Sequence, residues 1–138
     1  AVIDEMEKLM EHMVSGVTAV AQRAALAAIT APQDCVREMV ATYAKRRELV
    51  YAGLNAIDGI GCIKPESTFY AFPNISSCGL SYWDFVKYLV KEHQVAVVPG
   101  SIFGKAGEGY VRLSFAASME QLQEGIDRIG RGVAALKK

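Results

Sequence analysis

The longest regular pattern in the sequence is a run of side chains, all but one apolar, that recurs every three or four residues between Val36 and Ile57. This spacing predicts a helix of about six turns with one apolar face. Pro32 stands near its first position, where a fixed φ is favourable, and Gly59 and Gly61 follow its end. Such a face has to be covered by a second layer of structure. The run consists of Val36, Met39, Val40, Tyr43, Arg47, Val50, Leu54 and Ile57.

Two more helices are predicted before this one. In the first, Ile3, Met6, Met10 and Met13 keep helical spacing from Val2 onward. No Ser, Thr, Asp or Asn precedes that pattern as a cap, so we expect the chain to begin within an element. The second is predicted from about Val17 to Ile29 and is rich in alanine, which lets neighbouring backbones approach closely.

Short strands and capped helices are predicted after Gly61. The strands are FYAFPNI, with Pro73 near its end, VAVVP and YVRLSF. Capping boxes, Ser81 with Asp84 and Ser118 with Gln121, open one helix between the strands and one after them. The predicted fold class is therefore α/β, or α+β-like. N-terminal helices precede a small sheet of about three strands, which helices cover on at least one face.

Composition excludes several kinds of partner. The 15 basic and 15 acidic residues balance, so no field of one sign would attract nucleic acid or an anionic membrane. Acidic residues interrupt the first turns, and no apolar run approaches membrane-spanning length. Three cysteines without a C-x-x-C pair indicate reduced structural thiols and no metal site. We therefore expect a soluble, cytoplasmic protein that binds neither nucleic acid nor membrane.

The glycine-rich segment GSIFGKAGEG invites comparison with phosphate-binding loops, because backbone N–H groups can cradle an anion. A Walker loop needs four residues between its glycines and Ser or Thr after the lysine. Here three residues separate Gly100 from Gly104, and Ala106 follows Lys105. The segment is therefore predicted to be a turn that joins two strands.

An arginine within the strand YVRLSF is the main candidate for function. Alternation puts Val111, Leu113 and Phe115 on one face and Tyr110, Arg112 and Ser114 on the other. A lone strand arginine usually faces solvent, but this strand otherwise has the composition of a buried one. A half-buried guanidinium needs an anion, and its planar fork matches a carboxylate. No acidic residue in the local sequence is dedicated to Arg112, so a ligand carboxylate would complete the site.

Three segments resemble the C-terminal portion of class I/II aminotransferases, the fold-type-I pyridoxal-phosphate enzymes. They are STFYAFPNI, VAVVPGSIFGKAGEGYVRLSFAAS and KLMEHMVSGVTAVAQRAALAAI, and together they cover nearly the whole chain. The most specific elements are VPGSIFG and GYVRLSFA, which stand in the family's order and usual separation. In that family the arginine of RLSFA binds the substrate α-carboxylate. The resemblance implies that role for Arg112, with an amino acid or a 2-oxo acid as the small-molecule partner.

The resemblance also implies what this chain lacks. The family's Schiff-base lysine stands in a Ser-x-x-Lys type motif earlier in the sequence, as do its cofactor-binding residues, and no lysine here stands in such a motif. We therefore expect pyridoxal 5'-phosphate to bind in a homodimeric full-length parent, and this fragment alone to be inactive. Ser67 departs from the glycine often found at its position. Residues 1–30 would be the interdomain, large-domain helical segment, and residues 31–138 the small C-terminal domain.

Two alternatives to an aminotransferase fragment stay open. The chain could be a non-catalytic module that binds amino acids or a partner through Arg112. It could instead come from a pyridoxal-phosphate lyase or decarboxylase, since the same arginine serves several chemistries on this scaffold.

Overall fold

The computed structural model describes residues 2–137, which form five α-helices and three short β-strands. The predicted order of elements is confirmed, and so are helical structure from Val2 and the start of α5 after Ser118. The strands are shorter than predicted, two to four residues each. The elements are α1 (Val2–Val14), α2 (Ala19–Thr30), α3 (Asp34–Asn55), β1 (Tyr70–Ala71), α4 (Tyr82–His93), β2 (Val98–Pro99), β3 (Val111–Ser114) and α5 (Met119–Leu136).

The strands form one antiparallel sheet in the order β1-β3-β2, so the strand that carries Arg112 is central. In the register, Tyr70 lies opposite Ser114 on one side, and Val98 lies opposite Arg112 on the other. The predicted class, a small sheet of about three strands with helices, is confirmed.

The core lies beside one face of this sheet. Phe85 and Leu89 of α4 are 1% and 0% exposed, and Val111 and Phe115 are buried from the sheet side. The apolar stripe predicted for α5 is confirmed, since its first four members are buried and Leu136 packs against them. Those four are Leu122, Ile126, Ile129 and Val133.

The chain divides into two compact units, the first ending at Arg37 and the second beginning at Glu38, within α3. No residue of α1 or α2 is buried. In α3 the predicted apolar face is buried only at Val50 and Leu54, and Val36, Met39 and Val40 are exposed. The functional division predicted at residues 30 and 31 stays a prediction, because compactness does not test the role of either segment.

Helix starts follow the predicted caps with one difference. Ser118 and Gln121 form the complete box, in which each side chain accepts from the other residue's backbone N–H. Ser81 accepts from the Asp84 N–H, but the Asp84 carboxylate accepts from the Ser81 hydroxyl at 2.7 Å rather than closing the box. Thr18 caps α2 in a way the sequence reasoning missed.

The three cysteines occupy different environments. Cys62 and Cys78 are buried, and burial raises the pKa of both thiols. Cys35 is exposed on α3, so the prediction of three structural thiols holds for two of them.

None of the described helices alone has the length and hydropathy that a membrane span requires. Taken together, α1 and α2 have that length and hydropathy, but the chain bends by 106° between the two helices.

Candidate functional site

The central strand presents Arg112 on the sheet face opposite the core. Val111 and Phe115 are 3% and 1% exposed on one face, whereas Arg112 is half-buried on the other. This is the alternation predicted for the strand. The buried side chains on either side of Arg112 fix the register of β3. A shift of the register by one residue would bring the arginine into the core.

Two aromatic rings contact the guanidinium. Arg112 Cζ lies 4.3 Å from the centroid of the Tyr70 ring and 4.6 Å from that of Phe103, over the face of each. Tyr70 comes from β1, and Phe103 from the 3₁₀ turn Gly100–Phe103 after β2. Such contacts attract a cation to the electron-rich ring face. We call Tyr70 and Phe103 the aromatic clamp.

The guanidinium has no anionic partner within residues 2–137, where no hydrogen bond or ion pair joins it to another residue. Three other arginines in the second unit are paired: Arg47 with Glu48, and Arg128 and Arg131 with Glu124. Arg46 resembles Arg112, since within the described residues it has no ion pair and lies 5.1 Å from the Tyr43 ring. The expectation that a ligand carboxylate completes the Arg112 site stays a prediction. The N–H donors of Arg112 are open to a ligand.

More aromatic side chains extend this face. Phe72 stacks on Tyr110 with centroids 5.3 Å apart and meets Phe103 edge-on at 6.2 Å. Ser114 is exposed, and its hydroxyl accepts from the Ala116 N–H. The hydroxyl of Ser114 and the phenol of Tyr110, predicted on the same face, form no hydrogen bond with Arg112 among the described residues. Aromatic rings surround the arginine instead.

The composition of FYAF favours a position in the core over one in the wall of a substrate site, but in the structure only Ala71 of this segment belongs to the core. Ala71 is fully buried, but Phe69 and Phe72 are 41% and 37% exposed and Tyr70 is half-buried. The strand is only two residues long. Tyr70 contacts Arg112 and Phe72 meets Phe103, whereas Phe69 lines a groove beside Phe115. The second part of the interpretation, the wall of a substrate site, fits the position of Tyr70.

The glycine-rich segment is a compact turn, as predicted. A Cβ at Gly100 would lie 2.3 Å from the Gly107 carbonyl oxygen, and one at Gly107 2.1 Å from that of Gly100. Carbonyls of the segment accept from the N–H groups of Gly104, Gly107, Glu108 and Tyr110, and the Gly100 N–H donates to the Tyr110 carbonyl. These glycines therefore allow two stretches of backbone to touch, and those N–H groups are not free to cradle a phosphate.

Sequence reasoning identified Arg112 but missed both rings of the clamp. The register supplies a signal for Tyr70, because it lies opposite Ser114, two residues along β3 from Arg112. Diagonal pairs of this kind are within reach of long and aromatic side chains. For Phe103 the only signal was a large apolar residue inside a glycine turn, where a core role is unexpected.

A separate groove of about 440 Å³ lies under α3 and the loop before β1. Its walls are mainly apolar and include Met39, Tyr43, Phe69 and Phe115. Phe115 points to the face of β3 opposite Arg112, so this groove is not the surface on which Arg112 lies.

The described residues do not fit pyridoxal phosphate. Every lysine among residues 2–137 is exposed, whereas an imine-forming lysine is activated by desolvation or by a cationic neighbour. The glycine turn, the one phosphate cradle that the sequence suggested, uses the N–H groups named above internally.

Comparison with known proteins gives consistent matches over the whole chain. Residues 1–129 match the family model for aminotransferase class I and II. An aspartate aminotransferase of Bacillus subtilis is 43% identical over 137 residues, which is 96% of this chain and 34% of that protein. An aromatic-amino-acid aminotransferase of Thermococcus litoralis is 48% identical over 96 residues, 70% of this chain and 24% of that protein.

A solved structure extends the similarity to the fold. The crystal structure of an aromatic aminotransferase from Pyrococcus horikoshii OT3 superposes with a TM-score of 0.89 at 40% identity. The match covers 99% of this chain and 37% of that one. The chain thus spans about a third of the length of the curated relatives it matches.

Proposed function

This chain belongs to the class I and II aminotransferase family, and we propose that it supplies the substrate-carboxylate site of such an enzyme through Arg112. The reaction transfers an amino group between an amino acid and a 2-oxo acid. Both substrates carry a carboxylate next to the reacting carbon, so one arginine can bind them in turn.

The observation that carries the proposal is the unpaired, half-buried guanidinium on a central strand. Its two aromatic neighbours stabilise the positive charge but accept no hydrogen bonds through their ring faces. A carboxylate satisfies two parallel N–H donors at once, which fixes the direction of approach as well as the charge. Arg112 would thereby hold the substrate's Cα in a constant position, and such positioning accelerates a reaction by removing orientational freedom.

Members of this family depend on pyridoxal phosphate, which serves as an electron sink for the bonds at Cα. The described residues do not fit that cofactor, so we propose that other parts of the full-length protein hold it. The role assigned to this chain is therefore confined to binding and orienting the substrate.

The test is the substitution Arg112→Lys in the full-length protein. Lysine keeps the charge but loses the planar fork, so we expect kcat/KM to fall about 10- to 100-fold, the worth of one charge-assisted hydrogen bond. Arg128→Lys is the matched control, because Arg128 pairs with Glu124 on α5. An unchanged kcat/KM for Arg112→Lys would contradict the proposal.

Product analysis separates the alternatives. Transamination converts the amino donor to its 2-oxo acid in equal amount to the new amino acid, whereas a decarboxylase releases carbon dioxide and an amine. Binding of amino acids without any product would favour a non-catalytic module.

We also propose that the enzyme is a cytoplasmic homodimer. The cytoplasmic assignment is supported by three unpaired cysteines, one of them exposed, which suit a reducing compartment. The dimer rests on the family resemblance. Cell fractionation tests the compartment, and sedimentation of the full-length protein tests the assembly.

A further inference from the structure

We propose that Tyr70 and Phe103 are positioning residues that hold the Arg112 guanidinium ready for a carboxylate. This inference rests on the proposed function, since it concerns the same arginine. It adds that the geometry of the site is set by two rings from separate segments, without an acidic side chain from residues 2–137.

The exposure of Phe103 is the first argument. Its side chain is 51% exposed, so burial in the core does not explain a phenylalanine there. Its ring contacts within the described residues are to Arg112, at 4.6 Å, and to the exposed ring of Phe72. A large apolar side chain held at the surface against a cation indicates a role at that cation.

The rigidity of the turn that carries Phe103 is the second argument. The turn Gly100–Phe103 is closed by the Gly104 N–H, which bonds to the Ser101 carbonyl. It also packs backbone to backbone against Gly107, where no side chain would fit. Phe103 is therefore held in place by its own loop and does not depend on Arg112 for its position.

The fixation of Tyr70 is the third argument. Its N–H bonds to the Thr68 hydroxyl at 3.2 Å, and its ring packs on Phe69 with centroids 4.5 Å apart. Thr68 has φ of +64°, which is unfavourable for a β-branched residue. Such strain persists where the surrounding structure imposes it, and here it lies two residues before the ring that contacts Arg112.

The chemical consequence concerns the hydrogen-bond donors of Arg112. A carboxylate partner from the protein would position the guanidinium but would occupy the N–H groups that a substrate needs. Aromatic faces attract the charge without accepting those hydrogen bonds. The aromatic clamp thus holds the Arg112 side chain in place and leaves its N–H donors available for a substrate carboxylate.

The experiment is a double-mutant cycle in the full-length protein, with kcat/KM measured for the amino donor that it turns over fastest. Phe103→Leu is made in the wild type and in Arg112→Lys. With Arg112 present we expect kcat/KM to fall about 3- to 30-fold, the range of one cation–π contact. In the Arg112→Lys background the same change should cost less than about 2-fold, because no fork remains to be oriented.

Two further variants separate positioning from a loss of structure. Phe103→Tyr keeps the ring and should restore at least half of the wild-type kcat/KM. Trp83→Leu is the control, because it removes a ring of α4 that is 47% exposed and whose ring contact is with Tyr82, outside the Arg112 site. It should leave kcat/KM within about 2-fold of wild type. If Phe103→Leu fails to fold, Tyr70→Leu tests the clamp from the other segment.

A second readout does not depend on turnover. In protein labelled with ¹⁵N-arginine, the Arg112 Nε–Hε signal is identified by its loss in Arg112→Lys. The two rings should shift this signal by their ring currents, and Phe103→Leu should move it. Titration with acetate should shift this signal in the wild type and require about 3-fold more acetate in the variant.

The possible failures are distinguishable. Equal losses for Phe103→Leu in both backgrounds, or an Arg112 signal that the variant does not move, would overturn this inference alone. An Arg112→Lys protein with unchanged kcat/KM would overturn the proposed function, and the inference with it.

Discussion

The two compact units carry similar sequence signals, but only one of them has a core. In α1 the apolar residues Ile3, Met6, Met10 and Met13 repeat as regularly as those of α5, and each is at least 57% exposed. In α5 the corresponding residues are buried against α4 and the sheet. Spacing along a helix therefore shows which face is apolar, but it does not show what that face packs against.

The comparison also separates two sources of helix formation. The first unit forms helices through local effects, such as its alanines and the Thr18 cap, and buries nothing in doing so. The second unit adds burial, which supplies most of the stability of a domain. Mutations of one kind should consequently have different effects in the two units.

The largest expected difference is for a leucine truncated to alanine. Leu89→Ala removes a side chain that is fully buried in α4, and we expect the free energy of unfolding to fall by about 2–5 kcal/mol. Leu26→Ala makes the same change on α2, where the side chain is 53% exposed, and should change it by no more than about 0.5 kcal/mol.

Both variants are measured by urea denaturation, followed by the fluorescence of Trp83 on α4. Similar losses for the two would mean that Leu26 is buried in solution, and the contrast between the units would fail.

The next difference concerns helix caps. Ser118→Ala removes the box that opens α5, and because α5 packs into the core, we expect a loss of about 1 kcal/mol in global unfolding. Thr18→Ala removes the corresponding bond on α2, where the hydroxyl accepts from Ala21 at 3.4 Å.

For Thr18→Ala we expect a smaller helical circular-dichroism signal with an unchanged urea midpoint. A shift of the midpoint equal to that of Ser118→Ala would indicate that α2 unfolds together with the second unit.

The smallest expected effect depends on pH. Lys137 forms a hydrogen bond and ion pair with Asp58, and this holds the pKa of Asp58 below its ordinary value of 3.8. A carboxyl group with a lowered folded pKa adds stability above its unfolded pKa and loses that contribution as the pH falls through the folded value.

Asp58→Asn should therefore be slightly less stable than wild type at pH 6, and the difference should shrink at acidic pH, as the Asp58 carboxylate is protonated. Glu5→Gln, which breaks the Glu5–Lys8 pair within α1, is the control and should not change the urea midpoint at either pH. A difference for Asp58→Asn that persists unchanged at low pH would contradict the ion-pair explanation.

The candidate site was only partly predictable from the sequence. Arg112 stood out because strand alternation placed a charge opposite apolar residues that proved to be buried, and that is a local signal. Phe103 lies nine residues away along the chain, beyond a turn whose course depends on contact between Gly100 and Gly107. Tyr70 reaches Arg112 only because β1 pairs with β3 in one particular register. Periodicity and motifs describe neighbouring residues, so they do not predict contacts between segments that are far apart in the sequence.

The sequence by itself determined the order of elements, the capping of α5, the face on which Arg112 lies and the resemblance to aminotransferases. These follow from periodicity, hydrogen-bonding side chains and motifs, which act over a few residues. Only the tertiary structure decided which apolar faces are buried and which rings meet the guanidinium. Both depend on segments far apart in the sequence coming together, and the free energy of that packing belongs to the folded chain as a whole.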